Sequence, residues 1–177
     1  MTNDFDLQPT LEGDRVIVRP VAAADWDAMF AAAADPGIWE LHPDSDRYTE
    51  PVFRRFFDGA VECGSGFAIV DRRNGKIIGS TRYHGHDPVA REIEIGWTFL
   101  ARDYWGGSYN AEIKRLLLDH AFTFVDTVVF WVDESNLRSR RAMEKVGGVL
   151  RDGIRFREGA GDRPYVVYEM RKSNHGG

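Results

Sequence analysis

The chain has 177 residues, a formal net charge of −5, 12% aromatic and 29% charged residues, and a single cysteine, Cys63. That length suits one domain spanning residues 1–177, with a core from about residue 11 to 172. The acidic balance argues against a nucleic-acid partner, one cysteine permits no intrachain disulfide, and no apolar run reaches membrane-spanning length. The opening MTNDFDLQPT lacks the basic-then-apolar order of a signal peptide, so a cytoplasmic location is expected.

RVIVRPV (Arg15 to Val21) alternates and reads as a strand. Asp25 to Ala34 reads as a helix with Trp26, Met29 and Phe30 on one stripe, ended by Asp35-Pro36. Thr49 caps a second helix carrying Val52, Phe53, Phe56, Phe57 and Ala60. GFAIVDRRNGKIIGSTRYHG reads as a hairpin turning at Asn74-Gly75. EIEIGWTFL (Glu92 to Leu100) is the cleanest strand. Its alternation puts Ile93, Ile95, Trp97 and Phe99 on one face, and Glu92, Glu94, Gly96 and Thr98 on the other. After the loop ARDYWGGSY, Asn110 caps a helix whose inner stripe is Ile113, Leu116, Leu117, Ala121 and Phe124. TVVFWVDE (Thr127 to Glu134) suits a buried strand. Asn136 then caps the helix NLRSRRAMEKVGG, which stops at Gly147-Gly148. VLRDGIRFRE and PYVVYEMRK close the chain as two strands, and KSNHGG reads as a frayed tail. The order predicts an α+β fold around a mostly antiparallel sheet. The Glu92 to Glu134 crossover supplies one parallel pair.

Both helices that follow strands start unusually. Arg138, Arg140 and Arg141 put cations where the helix dipole is positive, each unfavourable by roughly 0.3–1 kcal/mol if exposed. A bound anion would resolve the conflict; a solvated basic patch is the other reading. Trp105-Gly106-Gly107-Ser108-Tyr109-Asn110 is either a phosphate cradle or an ordinary turn. Ser139 shares the inward stripe of its helix with Ala142, Met143 and Val146, either as a functional hydroxyl or as a back-bonding serine. Glu92 and Glu94 are solvated if their strand is an edge. On a central strand, a carboxylate there opens onto a cleft as a general-base candidate. His84 and His86 share a strand face, but no third ligand falls at a recognisable spacing, so no metal is expected. His120 reads as a satisfied core histidine. There is no GxSxG elbow and no Walker-type loop.

From LEGDRVIVRPV through IIGSTRYH and EIEIGWTFLARDYWG to NLRSRRAMEKVGGVL, the chain resembles the GNAT superfamily of N-acetyltransferases, most closely its RimJ/RimL-like branch. The resemblance implies a twisted, mostly antiparallel mixed sheet flanked by helices. That sheet is split between its fourth strand, Glu92 to Leu100, and its fifth, Thr127 to Glu134, and acetyl-CoA lies in the split. Glu94 would then be central and serve as base, directly or through water. The backbone of Phe99, Leu100 and Ala101 would pair with the pantetheine arm, and Trp105, Gly106, Gly107, Ser108, Tyr109 and Asn110 would hold the pyrophosphate. Asn136 would contact the pantetheine region and Arg141 the nucleotide phosphates. Ser139 would protonate the departing thiolate. The family loop usually reads Arg/Gln-x-x-Gly-x-Gly/Ala; here Trp105, Ser108 and Asn110 stand at the signature positions, and Ser108 lacks glycine's freedom at positive φ. The resemblance implies an amine acceptor, either a protein N-terminus or a small molecule, and is compatible with a homodimer. Asp44, Asp46 and Glu50 either favour a cationic acceptor or form a solvated loop. The rival reading is a non-catalytic acyl-CoA-binding or sensing module.

Overall fold

The computed structural model describes residues 4–176; residues 1–3 and 177 of the expected span lie outside it. Along the described chain run β1 (Leu11–Glu12), β2 (Val16–Pro20), α1 (Trp26–Ala33), α2 (Pro36–Trp39), α3 (Glu50–Glu62), β3 (Gly66–Asp71) and β4 (Ile77–Asp87). There follow β5 (Glu92–Leu100), α4 (Ser108–Ala121), β6 (Thr127–Asp133), α5 (Leu137–Lys145), β7 (Val149–Leu150), β8 (Arg155–Phe156) and β9 (Pro164–Arg171). The strands form one sheet in the order β1-β2-β3-β4-β5-β6-β9-β7, and β8 also pairs with β9. Every pairing is antiparallel except β5 with β6. The expected fourth and fifth strands are β5 and β6, because Leu11–Glu12 adds a short strand at the edge.

Two cores lie on opposite faces of this sheet. On one face, α4 and α5 bury Ile113, Leu117, Leu118 and Met143 against Ile93, Ile95, Val128 and Phe130. On the other, α1 to α3 bury Met29, Trp39, Phe53, Phe56 and Phe57 against Ala68 and Phe99. Asp35-Pro36 does end the first helix, but the Asp35 carboxylate also accepts from the Gly37 amide and starts the one-turn α2. The VLRDGIRFRE strand breaks into β7 and β8 around Gly153, whose φ is +86°.

The expected alternation of EIEIGWTFL fails at its middle. Gly96 pairs with Arg82 and Phe99 with Ser80, so two residues of β5, Trp97 and Thr98, stand opposite the single Thr81 of β4. This is a β-bulge, and Trp97 sits in it at φ +50°. One extra residue inverts the face of everything after it. Ile93 and Ile95 face α4 as expected, whereas Trp97 and Phe99 join the core under α1 to α3. Thr98 and Leu100 take the α4 face instead.

Asn110 does not cap α4 as expected. Gly106 turns the chain at φ +71°, Gly107 is extended at the N-cap, and helical geometry begins at Ser108. One turn further in, Glu112 is buried and accepts the amides of Asp14, Arg15 and Val16 at 3.1, 2.8 and 3.0 Å. One carboxylate therefore ties the entry to β2 onto α4, with charge-assisted bonds to three amides. Replacing it with Glu112→Ala leaves those amides without an acceptor. Urea unfolding should show a loss of roughly 2–4 kcal/mol; a loss below about 1 kcal/mol would mean that water replaces the carboxylate freely.

Candidate active site

Pairing between β5 and β6 is confined to Glu92–Thr127, Ile93–Val128 and Glu94–Val129. Beyond that point the strands part, and a cleft of about 620 Å3 opens between them. It is lined on β5 by Glu94 to Thr98 and on β6 by Phe130 to Asp133. Because it passes through a divided sheet, the cleft has a side on each face, and the two sides differ in chemistry.

The α4 and α5 side carries two adjacent helix starts, tied by the Arg138 guanidinium, 4.2 Å above the Trp105 ring. No side chain caps α4, so its first-turn amides at Ser108, Tyr109 and Asn110 face outward unclaimed. Ser108 lies inside the helix and has no need of glycine's freedom; Gly106 provides the positive φ. At α5 the Asn136 carboxamide accepts from the Ser139 amide at 3.1 Å, the cap that the sequence predicts. Asn110, Asn136, Ser139, Ala142 and Met143 all line the cleft, so the Ser139 stripe does face inward.

Several expected contacts are otherwise engaged. Phe99, Leu100 and Ala101 are not in the cleft wall, which on β5 stops at Thr98. The Leu100 carbonyl accepts from the Trp105 indole at 2.8 Å, and the Ala101 amide donates to Ile78 at 2.8 Å. Beyond the bulge β5 stays paired with β4, through Phe99–Ser80 and Leu100–Gly79. Tyr109 packs edge-on against Tyr104. Of the three arginines, Arg138 donates to the Ile38 carbonyl and Arg140 to the Glu134 carbonyl and Tyr168 hydroxyl. Both thus have donors engaged by neutral oxygens and keep their charge at the helix start. Arg141 is exposed and outside the cleft wall.

The opposite side is a cluster of charges and aromatic rings that the sequence did not announce. Glu94 lies on a central strand and is only 5% exposed. Arg157, from the segment between β8 and β9, grips it with two bonds of 2.6 and 3.1 Å. The guanidinium is held between Trp97 at 4.7 Å and Trp131 at 4.8 Å, with Tyr165 at 5.6 Å. Arg82 lies over Trp97 as well, at 4.9 Å. Burial pushes the Glu94 carboxyl above the ordinary carboxylate range, opposed by hydrogen bonding and charge from Arg157 and by the charge of Arg82. Next to this group, Asp44 bonds Arg47 and accepts from Arg163 at 3.4 Å. Burial and Arg47 hold the neighbouring His42 at about 4, so it is neutral at pH 7. Asp46 and Glu50 lie outside the cleft wall, and Asp44 is already paired, so the acidic loop does not present free negative charge there. Glu92 is also paired, to Arg151 at 2.6 Å.

Between the two sides sits Lys114, 4% exposed, on the α4 wall. Its ammonium donates to Thr98 Oγ1 at 3.1 Å and lies 5.0 Å from the Phe130 ring centroid. A sequence signal for it existed: Lys114 falls four residues after Asn110 and three before Leu117, on the inward stripe of α4. Arg157 gave no such signal, because it sits in an irregular segment.

A family model, the acetyltransferase (GNAT) domain, matches residues 15–149. The chain belongs to the GNAT acetyltransferase family. Among solved structures, a GCN5-related N-acetyltransferase from Brucella melitensis is 23% identical with a TM-score of 0.83, covering 95% of this chain and 80% of its own. An acetyltransferase from Agrobacterium tumefaciens is 27% identical with a TM-score of 0.71, covering 93% of this chain and 95% of its own. An N-acetyltransferase of Bacillus licheniformis named p20, itself uncharacterised, is 23% identical over 154 residues, covering 81% of this chain and 86% of its own. Acetyl transfer is the family's activity, so a purely acyl-CoA-sensing module is not favoured for this GNAT chain. Among the described residues no cluster of metal-ligating side chains occurs, and no helix is long and apolar enough to cross a membrane. His84 packs instead on Trp97, and His86 on Phe5.

The buried lysine has a measurable consequence. Burial lowers Lys114 from its ordinary 10.5 to about 8. Below pH 8 both folded and unfolded chains hold the proton, and the fold bears the cost of a buried charge. Between 8 and 10.5 the unfolded chain holds more protons, so stability rises with pH. Relative to Lys114→Met, which lacks this titration, the native protein should gain roughly 2–4 kcal/mol across that window in urea unfolding. Parallel curves for the two proteins would mean that the amine is solvated.

Proposed function

We propose that this GNAT chain is an acetyl-CoA-dependent N-acetyltransferase of the RimJ/RimL-like type, acting on a primary amine. One observation carries the reading: a cleft runs through the sheet, reached on one side by the start of α4, which no side chain caps, at Asn110, and on the other by a buried, central carboxylate.

The residues present suit acetyl-CoA. The uncapped amides of Ser108, Tyr109 and Asn110 offer donors and the positive end of the α4 dipole to a pyrophosphate. Gly106 and Gly107 keep side chains out of its way; a Cβ added at either would meet nothing within 4 Å. Asn136 and Ser139 face the same cleft from α5. When bound, acetyl-CoA supplies an activated acyl carbonyl.

The chain's own groups then manage two protons. A primary amine arrives protonated and must lose a proton before it can attack. Glu94, directly or through a water, is the acceptor for that proton. Burial suits the task, because it raises the carboxylate's affinity for a proton, and Arg157 keeps it from being protonated prematurely. Ser139 Oγ, on the far wall, supplies a proton to the leaving sulfur. Holding amine and thioester together in the split accounts for much of the remaining rate.

The acceptor is either a protein N-terminus or a small-molecule amine. The deciding experiment is CoA release from acetyl-CoA, followed with a thiol reagent, across N-terminal peptides and small amines, with a parallel acetyl-CoA titration. Amine-dependent release is the expected result. Binding with no release from any amine would support the acyl-CoA-binding module instead, and no binding would remove both readings.

Two variants test the proton assignments. Glu94→Gln should lower turnover by about 10²–10⁴ while leaving acetyl-CoA affinity nearly unchanged; full turnover would take the base role from Glu94. Arg157→Met removes the largest opposition to the effect of burial on Glu94. The acid limb of the pH–rate profile should therefore move to higher pH, and a limb that stays in place would assign it to another group.

A further inference from the structure

Lys114 is the lysine of the cleft wall, the proton assignments give it no part, and its surroundings are unusual. Its ammonium is almost wholly buried and has no carboxylate partner within 4.0 Å among the described residues. One donor goes to Thr98 Oγ1, which is itself shared with Thr81 Oγ1 at 2.9 Å. The Phe130 ring on the far strand offers only its π face. An ammonium has three donors, so this set does not use them all. Burying an unpaired charge costs several kcal/mol. A fold with Met there would avoid that cost, because the stripe around Lys114 is otherwise made of Ile113, Leu117 and Leu118.

The position explains what the charge is for. Phe130 is the first residue of β6 beyond the last paired one, and Thr98 lies on the unpaired length of β5. Lys114 thus bridges the two strands where the split begins. That is the passage between the helix-start side, which suits an anionic cofactor, and the Glu94 side. A molecule reaching from one to the other has to pass the ammonium.

We propose that Lys114 binds a carbonyl oxygen of the acyl-CoA arm as it threads the split, using the donors that the protein leaves unclaimed. The proposal rests on the acetyl-CoA reading above and adds the residue that fixes the arm in the passage. Two kinds of carbonyl share this chemistry: an amide of the pantetheine arm and the acyl carbonyl of the thioester. In either case the ammonium is a binding group whose charge is useful only when the cleft is filled. No acidic side chain contributes to its environment; Thr98 on β5, Thr81 behind it on β4 and Phe130 on β6 are uncharged.

The test uses the native chain and Lys114→Met. CoA and acetyl-CoA are titrated by calorimetry against both proteins, and thermal stability is measured alongside. The chain has four lysines, Lys76, Lys114, Lys145 and Lys172, so 13C-labelled lysine gives few Cε signals, and the variant identifies that of Lys114. The expected result is that Lys114→Met folds with an equal or higher melting temperature yet binds acetyl-CoA roughly ten- to a hundredfold more weakly. In the native protein, ligand should move the Lys114 Cε signal and leave Lys145 and Lys172 in place. Equal losses for CoA and acetyl-CoA assign the contact to the pantetheine amide; a loss for acetyl-CoA alone assigns it to the acyl carbonyl. Unchanged affinity for both ligands, with an unmoved Lys114 signal, overturns the proposal while leaving the acetyl-CoA reading intact. If the native protein binds neither ligand, the acetyl-CoA reading fails and this proposal fails with it. If the variant does not fold, the native signal decides: a Lys114 resonance indifferent to saturating CoA and acetyl-CoA overturns the contact.

Discussion

One extra residue in β5 governs the rest of the site. Opposite Thr81 the strand holds both Trp97 and Thr98, and Trp97 takes φ +50°, a conformation costing on the order of 1–3 kcal/mol for a bulky side chain. The bulge bends β5 after its last pairing with β6, so the parallel pair opens into a cleft instead of continuing. It also inverts facing, which sends Phe99 into the core against Trp39, Phe53 and Phe56. Trp97 is delivered to a position between Arg82 and Arg157. Burying Phe99 and stacking two guanidinium groups on Trp97 offset the strain.

The interior charges divide into two kinds by how their partners are arranged. Glu112 is satisfied by three amides, and Asp71 by Arg73, Asn74 and the Tyr104 hydroxyl. Each has its partners on fixed neighbouring elements, so each stabilises the fold without any ligand. Glu94 and Lys114 differ. The main partner of Glu94 arrives from an irregular segment across the cleft, and Lys114 has only a hydroxyl and a ring. Charges that the fold alone does not repay mark where another molecule belongs.

Much of this was legible in the sequence. The Asn136 cap, the inward Ser139 stripe and the parallel crossover follow from spacing and from caps, which act within a few residues. The split fell at the expected pair of strands. What escaped was non-local or hidden by a regular pattern. EIEIGWTFL reads as unbroken alternation, and a bulge there depends on its partner: β4 offers one residue where β5 offers two. The α4 cap shifted from Asn110 to Gly107 because Gly106 and Gly107 complete the turn earlier than a side-chain cap would. Arg157 lies 63 residues from Glu94 in sequence, beyond any local rule. Lys114 could have been found, since a lone cation on an apolar helical stripe conflicts with its pattern.

The two faces of the divided sheet also explain why counting charges on a loop misleads. Asp44, Asp46 and Glu50 read either as favouring a cationic acceptor or as a solvated loop. In the fold, Asp44 is shared by Arg47 and Arg163, while Asp46 and Glu50 point elsewhere than the cleft. Arg47 is held over Trp39 and Phe56, and Arg157 between Trp97 and Trp131. The Glu94 side is therefore built of guanidinium groups packed on rings: Arg47 and Arg157 are paired to carboxylates, and Arg82 donates to the Phe56 carbonyl. Rings fix those arginines without consuming their hydrogen-bond donors, so the edges of the guanidinium groups stay directional. An acceptor entering here meets oriented groups whose carboxylates are already engaged by arginines. Shape and hydrogen-bond geometry, more than net charge, should then decide which amine reaches Glu94.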